Sequence, residues 1–285
     1  VITPMFLAGA DGQTPELRAP SIKGAMRFWW RALNGHLGVK ELRKKEEAIF
    51  GGTNTGGRSK VVIRVSQPNN LDVDSSLLVP HKSFMRQDAI QEGQEFDISL
   101  GLNRSTEGFS KEHLVALFKI TCILGGFGKR VRRGMGSVMI TGVTSKSDFT
   151  DNYPIPYDIT LPYICQLLNQ FSGFFIQTKE AVHFNYPGES EKYGYIKQIQ
   201  IGEAGKHRDV LRVISDATHR IKRDAGYSYD PSMGHAFKGR YASPVFVSVV
   251  GEEQKPIITT LNIAPDKFEQ KASLMVQEDF KRLIL

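Results

Sequence analysis

Between Gly125 and Ser137 the chain reads Gly-Gly-Phe-Gly-Lys-Arg-Val-Arg-Arg-Gly-Met-Gly-Ser, thirteen residues with five glycines, four cations and no carboxylate. Glycine lets a backbone approach a ligand closely and present its N–H groups, and uncompensated cations attract anions over distance, so this composition suits a phosphate backbone. Gly126, Gly128, Gly134 and Gly136, with Lys129, Arg130, Arg132 and Arg133, are the candidate contacts. A Walker-type loop is excluded, because it needs glycine at position 123 and Ser or Thr at position 130, where Ile123 and Arg130 stand. A dinucleotide fingerprint fails as well, since its third glycine would fall on Val131. The plain alternative is a solvated turn between a helix and a strand.

Further cations lie elsewhere. Arg18 precedes Lys23, Arg27 and Arg31, which recur at four-residue steps and so share one line on a helix. Arg208, Arg212, His219 and Arg223 fall within about 60° of one another on a wheel of ~100° per residue, diluted by Asp209 and Asp216. Both sets read equally well as the wet face of an ordinary helix. Lys238 and Arg240 bracket Gly239 just ahead of Tyr241, loosely like the basic-glycine-aromatic start of an RNA-recognition strand. Seven histidines, His36, His81, His113, His183, His207, His219 and His235, show no compact zinc spacing, and neither Cys122 nor Cys165 adds one, so no metal and no cofactor is expected. Nucleophile elbows and penicillin-binding serine motifs are absent. A lone histidine can still act as base in metal-independent RNA cleavage, and His36 and His81 are the candidates for that role.

Several elements must position these groups. Val1 to Leu7 reads as the tail of a strand already under way, which implies a segment before Val1. A Gly- and Pro-containing loop leads to Ser21 as a helix cap, after which Ile22, Met26, Trp29, Trp30, Leu33 and Leu37 form an apolar stripe with Trp29 and Trp30 facing a core. A second helix spans Lys40 to Phe50 and closes at Gly51-Gly52. Lys60 to Ser66 and Glu95 to Leu102 alternate as strands, with a polar loop between them. Ser110 opens a mostly buried helix that stops at Gly125-Gly126, and Val138 to Val143 is a short strand beyond the basic loop. Strand, helix, strand, strand, helix, strand is the order of a ferredoxin-like fold. Polar, Pro-containing residues from Ser145 to Pro162 mark a boundary, giving domains 1–147 and 148–285. In the second, Tyr163 to Phe175 and Arg208 to Arg223 read as helices, Val245 to Val250 and Pro256 to Leu261 as a hairpin, and Ala264 to Leu285 as a last helix capped by Asp266.

The 285 residues, 40% of them hydrophobic, can bury two cores, and 37 basic against 30 acidic residues leave a net charge of +7. No apolar run approaches the ~20 residues of a membrane helix, no secretory signal is visible, and two cysteines fit a reducing compartment, so the cytoplasm is expected and a membrane is not.

Taken with the basic loop, Pro15 to Arg18, the run Ser21-Ile22-Lys23-Gly24-Ala25-Met26-Arg27-Phe28-Trp29-Trp30-Arg31-Ala32-Leu33 and Ile49-Phe50-Gly51 make the chain similar to the RAMP superfamily of CRISPR proteins. More narrowly it resembles the first-subunit family of type III-B (Cmr) RNA-targeting complexes, and the likeness continues through Arg240 to Phe246. That resemblance implies an α+β fold of two fused ferredoxin-like, RRM-related domains with antiparallel sheets. It implies binding of crRNA and single-stranded target RNA beside other RAMP subunits, with target cutting left to neighbouring subunits. A guide-processing endoribonuclease and a subunit whose basic loop docks a protein neighbour are the other readings.

Overall fold

A computed structural model describes residues 1–53, 57–66, 68, 70–144, 156, 158–188, 193–206, 209–224, 231–234, 241–262 and 273–285. Helix α1 (Ala19–Leu33) buries Ile22, Met26, Trp29, Trp30 and Leu33, the stripe the sequence spells out. It begins two residues ahead of the expected Ser21 cap. Extended Arg18 leads into it, and Pro20, whose ring fixes a helical φ, sits in the first turn where no N–H is needed. Helix α2 (Val39–Phe50) stops at Gly51, whose φ of 82° opens room that a Cβ, 2.7 Å from the Ser59 nitrogen, would close.

Strand β1 (Val61–Ser66) pairs antiparallel with β4 (Asp97–Leu102), Val61 opposite Leu102. The polar stretch between them is not a loop: β2 (Val73–Leu77) and β3 (Arg86–Ile90) form an antiparallel hairpin of their own. Asp74, Ser75, Ser76, Arg86, Gln87 and Asp88 give that hairpin no apolar alternation, because it is held by its backbone ladder with most of its side chains wet. Helix α3 (Lys111–Leu124) opens at Ser110, whose backbone N–H donates to His113 Nδ1 at 3.2 Å.

Two expected strands are not formed. Among the first seven residues only Met5 bridges, to Ile90, and Val138 to Val143 is extended without a partner strand among the described residues. A cleft of about 990 Å³ lies between Val138 to Thr144 and the Phe96, Ile98 and Leu100 side of β4, so neither edge reaches the other.

The second half is a five-stranded antiparallel sheet in the order β5 (Phe175–Gln177), β6 (Val182–Phe184), β7 (Ile196–Ile201), β9 (Lys255–Leu261), β8 (Val245–Val250). It packs with α4 (Leu161–Asn169), α5 (Val210–Asp224) and α6 (Leu274–Arg282). The helix expected to run to Phe175 ends at Asn169, whose side chain accepts from the Phe175 N–H at 2.9 Å and turns the chain into β5. The last helix begins at Leu274, and the expected cap Asp266 lies outside the described residues. So does the expected boundary at 147.

The fold is therefore α+β, two ferredoxin-related halves with antiparallel sheets. Its largest core cluster joins Trp29, Leu117 and Phe127 of the first half to Ile164, Ile199, Phe246 and Leu261 of the second. Among the described residues no helix is long and apolar enough to cross a membrane.

Candidate nucleic-acid interface

The glycines of the basic loop solve a packing problem. Gly126, Gly128, Gly134 and Gly136 have φ of 136°, 99°, 81° and 66°, where only glycine is unstrained. A Cβ on Gly128 would sit 2.6 Å from the Phe6 carbonyl oxygen and one on Gly134 2.9 Å from Leu211, while Gly126 and Gly136 face backbone of the opposite loop arm more closely still. Several of the loop amides are spent on the protein itself. Phe127 donates to Gly136 O at 2.9 Å, Lys129 to Phe6 O at 2.9 Å, Gly134 to Val247 O at 2.7 Å and Gly136 to Pro4 O at 3.0 Å. Gly134 and Gly136 are thus withdrawn from the expected open cradle of glycine N–H groups, which shifts phosphate contact towards the side chains.

Those side chains divide. Lys129 is exposed and reaches Gly12 O and Gln87 Oε1 at 3.2 and 3.3 Å. Arg132 donates to Ser243 O and lies 4.3 Å from the Phe246 ring centroid and 5.5 Å from that of Phe28. Arg133, 9% exposed, donates to Val245 O at 2.8 Å and Arg132 O at 2.6 Å, over Phe280 at 5.4 Å. Burial pushes Arg132 down to about 10 and Arg133 to about 9, so both stay charged at neutral pH while their donors serve the fold. Sequence alone does not separate these two from Lys129.

The first-helix stripe is compensated. Arg27 Nε and Arg31 Nη1 donate to Glu46 Oε1 of α2 at 2.8 and 2.6 Å, with Glu46 7% exposed, so this pairing locks α1 to α2. Lys23 donates to the Ser59 hydroxyl, and Arg18 stands 3.9 Å from Glu16. Trp29 and Trp30 are core residues, Trp29 tilted against Phe246 at 5.1 Å. Lys238 and Arg240 lie outside the described residues.

The fold assembles a different constellation, from three segments far apart in sequence. The tip of the β2–β3 hairpin brings His81 onto α5, where its ring stacks on His219 at 4.7 Å and its Nδ1 is 2.7 Å from the Ser215 hydroxyl. Burial, then the charges of His219, Lys82 and Arg130, push His81 below its usual value, with Asp216 alone acting the other way. Lys222, also on α5, is pushed down by burial and by Arg133 and Arg130. Arg130 itself holds a left-handed φ of 61°, unusual for a long side chain and a form of strain that gathers at functional positions. His81 Nε2 and Arg130 Nε are both buried without a hydrogen-bond partner among the described residues, a state that costs roughly 1–3 kcal/mol per group. On the same hairpin tip Phe84 is 79% exposed. Exposed aromatics among cations are stacking platforms for unpaired bases. His219 was visible only as part of a diluted helix stripe, and Phe84 carried no signal beyond being apolar in a polar stretch.

With this geometry in place, the likeness to known proteins has a physical setting. A family model of the RAMP superfamily matches residues 1–139. The CRISPR system Cmr subunit Cmr1-2 of Pyrococcus furiosus is 30% identical over 170 residues, covering 49% of this chain and 90% of that protein. Cmr1-1 of the same organism is 32% identical over 147 residues, covering 46% of this chain and 43% of that one. Among solved structures, apo Cmr1 from P. furiosus matches with a TM-score of 0.57 at 20% identity, over 99% of this chain and 93% of that chain. A chain from the type III-B Cmr-beta complex, determined with cognate target RNA and AMPPnP, matches with a TM-score of 0.61 at 12% identity, over 99% and 97%. At such identities the structural matches speak for the fold.

Proposed function

This chain belongs to the RAMP superfamily, as a type III-B CRISPR (Cmr) protein, and from that premise we propose that it is a non-catalytic, RNA-binding subunit of the effector. Its partners are then crRNA, single-stranded target RNA and other RAMP subunits, in the cytoplasm, with a part in crRNA-guided antiviral defence. The observation that supports this reading best is the convergence of Lys82, Arg130, Lys222 and the His81–His219 pair, with Asp216 the one carboxylate acting on His81. Lys129 and Phe84 extend the surface with an exposed charge and an exposed ring. Arg18, Lys23, Arg27 and Arg31 contribute secondarily, through exposed parts of side chains whose donors already have partners. Protonated guanidinium and ammonium groups hold phosphate but provide no base to activate an attacking hydroxyl at neutral pH.

Retention of labelled single-stranded RNA by the purified chain tests the reading. With ~4 to 6 phosphates neutralised, log K falls against log salt with a slope of roughly −3 to −4. Binding insensitive to salt contradicts it. One observation favours a second reading, a metal-independent endoribonuclease: the His81–His219 stack beside Ser215. Prolonged incubation with RNA in chelator decides between them. Cleavage that copurifies with the chain and vanishes in His81→Ala, or in His36→Ala at the other candidate base, establishes the nuclease.

A further inference from the structure

We propose that His81 Nε2 and Arg130 Nε are the paired donors of a specific phosphate-oxygen site between the hairpin tip, the basic loop and α5. The proposal rests on the RNA-binding reading and deepens it by naming where a single phosphodiester is gripped. Each of the two atoms is shut away from solvent without an acceptor among the described residues, and both side chains belong to one cluster, His81 stacked on α5 and Arg130 at the start of the loop turn that packs against α5, so one anion between them would answer both. The Ser215 hydroxyl accepts from the His81 backbone N–H at 3.4 Å and lies 2.7 Å from Nδ1; in the proposed site it donates to Nδ1, which puts the ring hydrogen on Nε2, facing the acceptor. The groups acting on His81 are His219 and Asp216 of α5, Lys82 of the hairpin tip and Arg130 of the loop. Three of these four are cationic or can become so. Lys222, crowded by Arg130 and Arg133, adds another charge that an anion would relieve.

A water molecule would satisfy one donor but leave that charge uncompensated, whereas a phosphodiester oxygen answers both needs. Rotation of the long Arg130 side chain among its staggered rotamers admits it. Arg130 also stands at φ 61°, where it opens the 131–133 turn, a strained conformation of the kind that gathers at functional positions.

The test follows the His81 ring by long-range proton–nitrogen correlation in the labelled chain, titrated in separate arms with inorganic phosphate and with a short single-stranded RNA. Both titrants are expected to shift the Nε2 resonance saturably, with hydrogen on Nε2. Arg130→Gly, which suits the left-handed backbone and so preserves the fold, is expected to abolish the phosphate shift and weaken RNA binding about tenfold, at a melting temperature no lower than wild type. RNA binding that leaves His81 unmoved overturns the site and leaves the RNA-binding reading standing. A phosphate shift without RNA binding supports the site for free phosphate and overturns the RNA-binding reading. No shift with either titrant overturns the site.

Discussion

Replacing Arg133 with alanine separates cations that build this protein from cations that serve a ligand. The guanidinium makes charge-assisted bonds to two carbonyls, at 2.8 and 2.6 Å, and covers the Phe280 ring at 5.4 Å. Such bonds contribute roughly 1.5–3 kcal/mol each, the ring contact ~0.5–2, and the lost methylenes ~0.8 apiece. Against this, keeping a guanidinium out of water costs several kcal/mol, which alanine removes. The Val245 carbonyl also retains the Ser243 hydroxyl at 3.0 Å, so only the Arg132 carbonyl loses a main partner. The net expectation is a loss of about 2–4 kcal/mol. At roughly 2–4 °C per kcal/mol, Tm falls by about 5–15 °C, read by thermal unfolding followed by circular dichroism. RNA affinity per folded molecule stays within about twofold, measured below the transition. A Tm within ~1 °C of wild type together with a tenfold loss of RNA affinity refutes the reasoning and returns Arg133 to the phosphate-binding set.

Trp29→Ala, at a ring 2% exposed and packed on Phe246, costs ~3–5 kcal/mol in urea unfolding, and a loss below ~1 kcal/mol would show that the ring anchors nothing. Gly136→Ala forces a side chain onto φ 66° and against the Phe127 carbonyl, so it loses more than ~3 kcal/mol and most soluble yield; normal yield and Tm contradict the packing account of the loop. Acidification destabilises the chain. His36 and His81 are both held below 6.5, chiefly by burial, so just below that pH the unfolded chain binds more protons than the folded one. Stability present above about pH 6.5 is lost as pH falls through that window, and thermal scans between pH 7.5 and 5.5 that show a rising Tm would reverse the sign of this argument.

Periodicity made α1, α2 and α5 legible and alternation did the same for β1 and β4, because burial of one face writes itself into the order of residues, whereas α3, β8 and β9 showed as nearly continuous apolar runs because they are buried on almost every side. The β2–β3 hairpin escaped because its side chains are polar and its pairing is carried by backbone. Strands β5 and β6, three residues each, are too short to show a period, and in β7 a register shift between Ile196 and Gln198 breaks the alternation of Ile196, Ile199 and Ile201. The basic loop was found as a composition, but its inner division was not. Whether an arginine meets solvent or a carbonyl at Ser243 or Val245 depends on a strand more than a hundred positions downstream. His81 meets His219 only through the packing of hairpin on helix, a contact no spacing rule contains.

Arg132 lies over Phe28 of α1 and Phe246 of β8 while donating to Ser243, so a single guanidinium covers two touching rings, their centroids 5.3 Å apart, from opposite halves of the chain. Hinges work by letting a few backbone torsions absorb rotation, and a core that runs through both halves, with one guanidinium lying on rings from each, opposes such rotation. The consequence expected of such a joint is a spacer rather than a clamp, with whatever the hairpin tip and α5 hold kept at a set angle to α1 and α2.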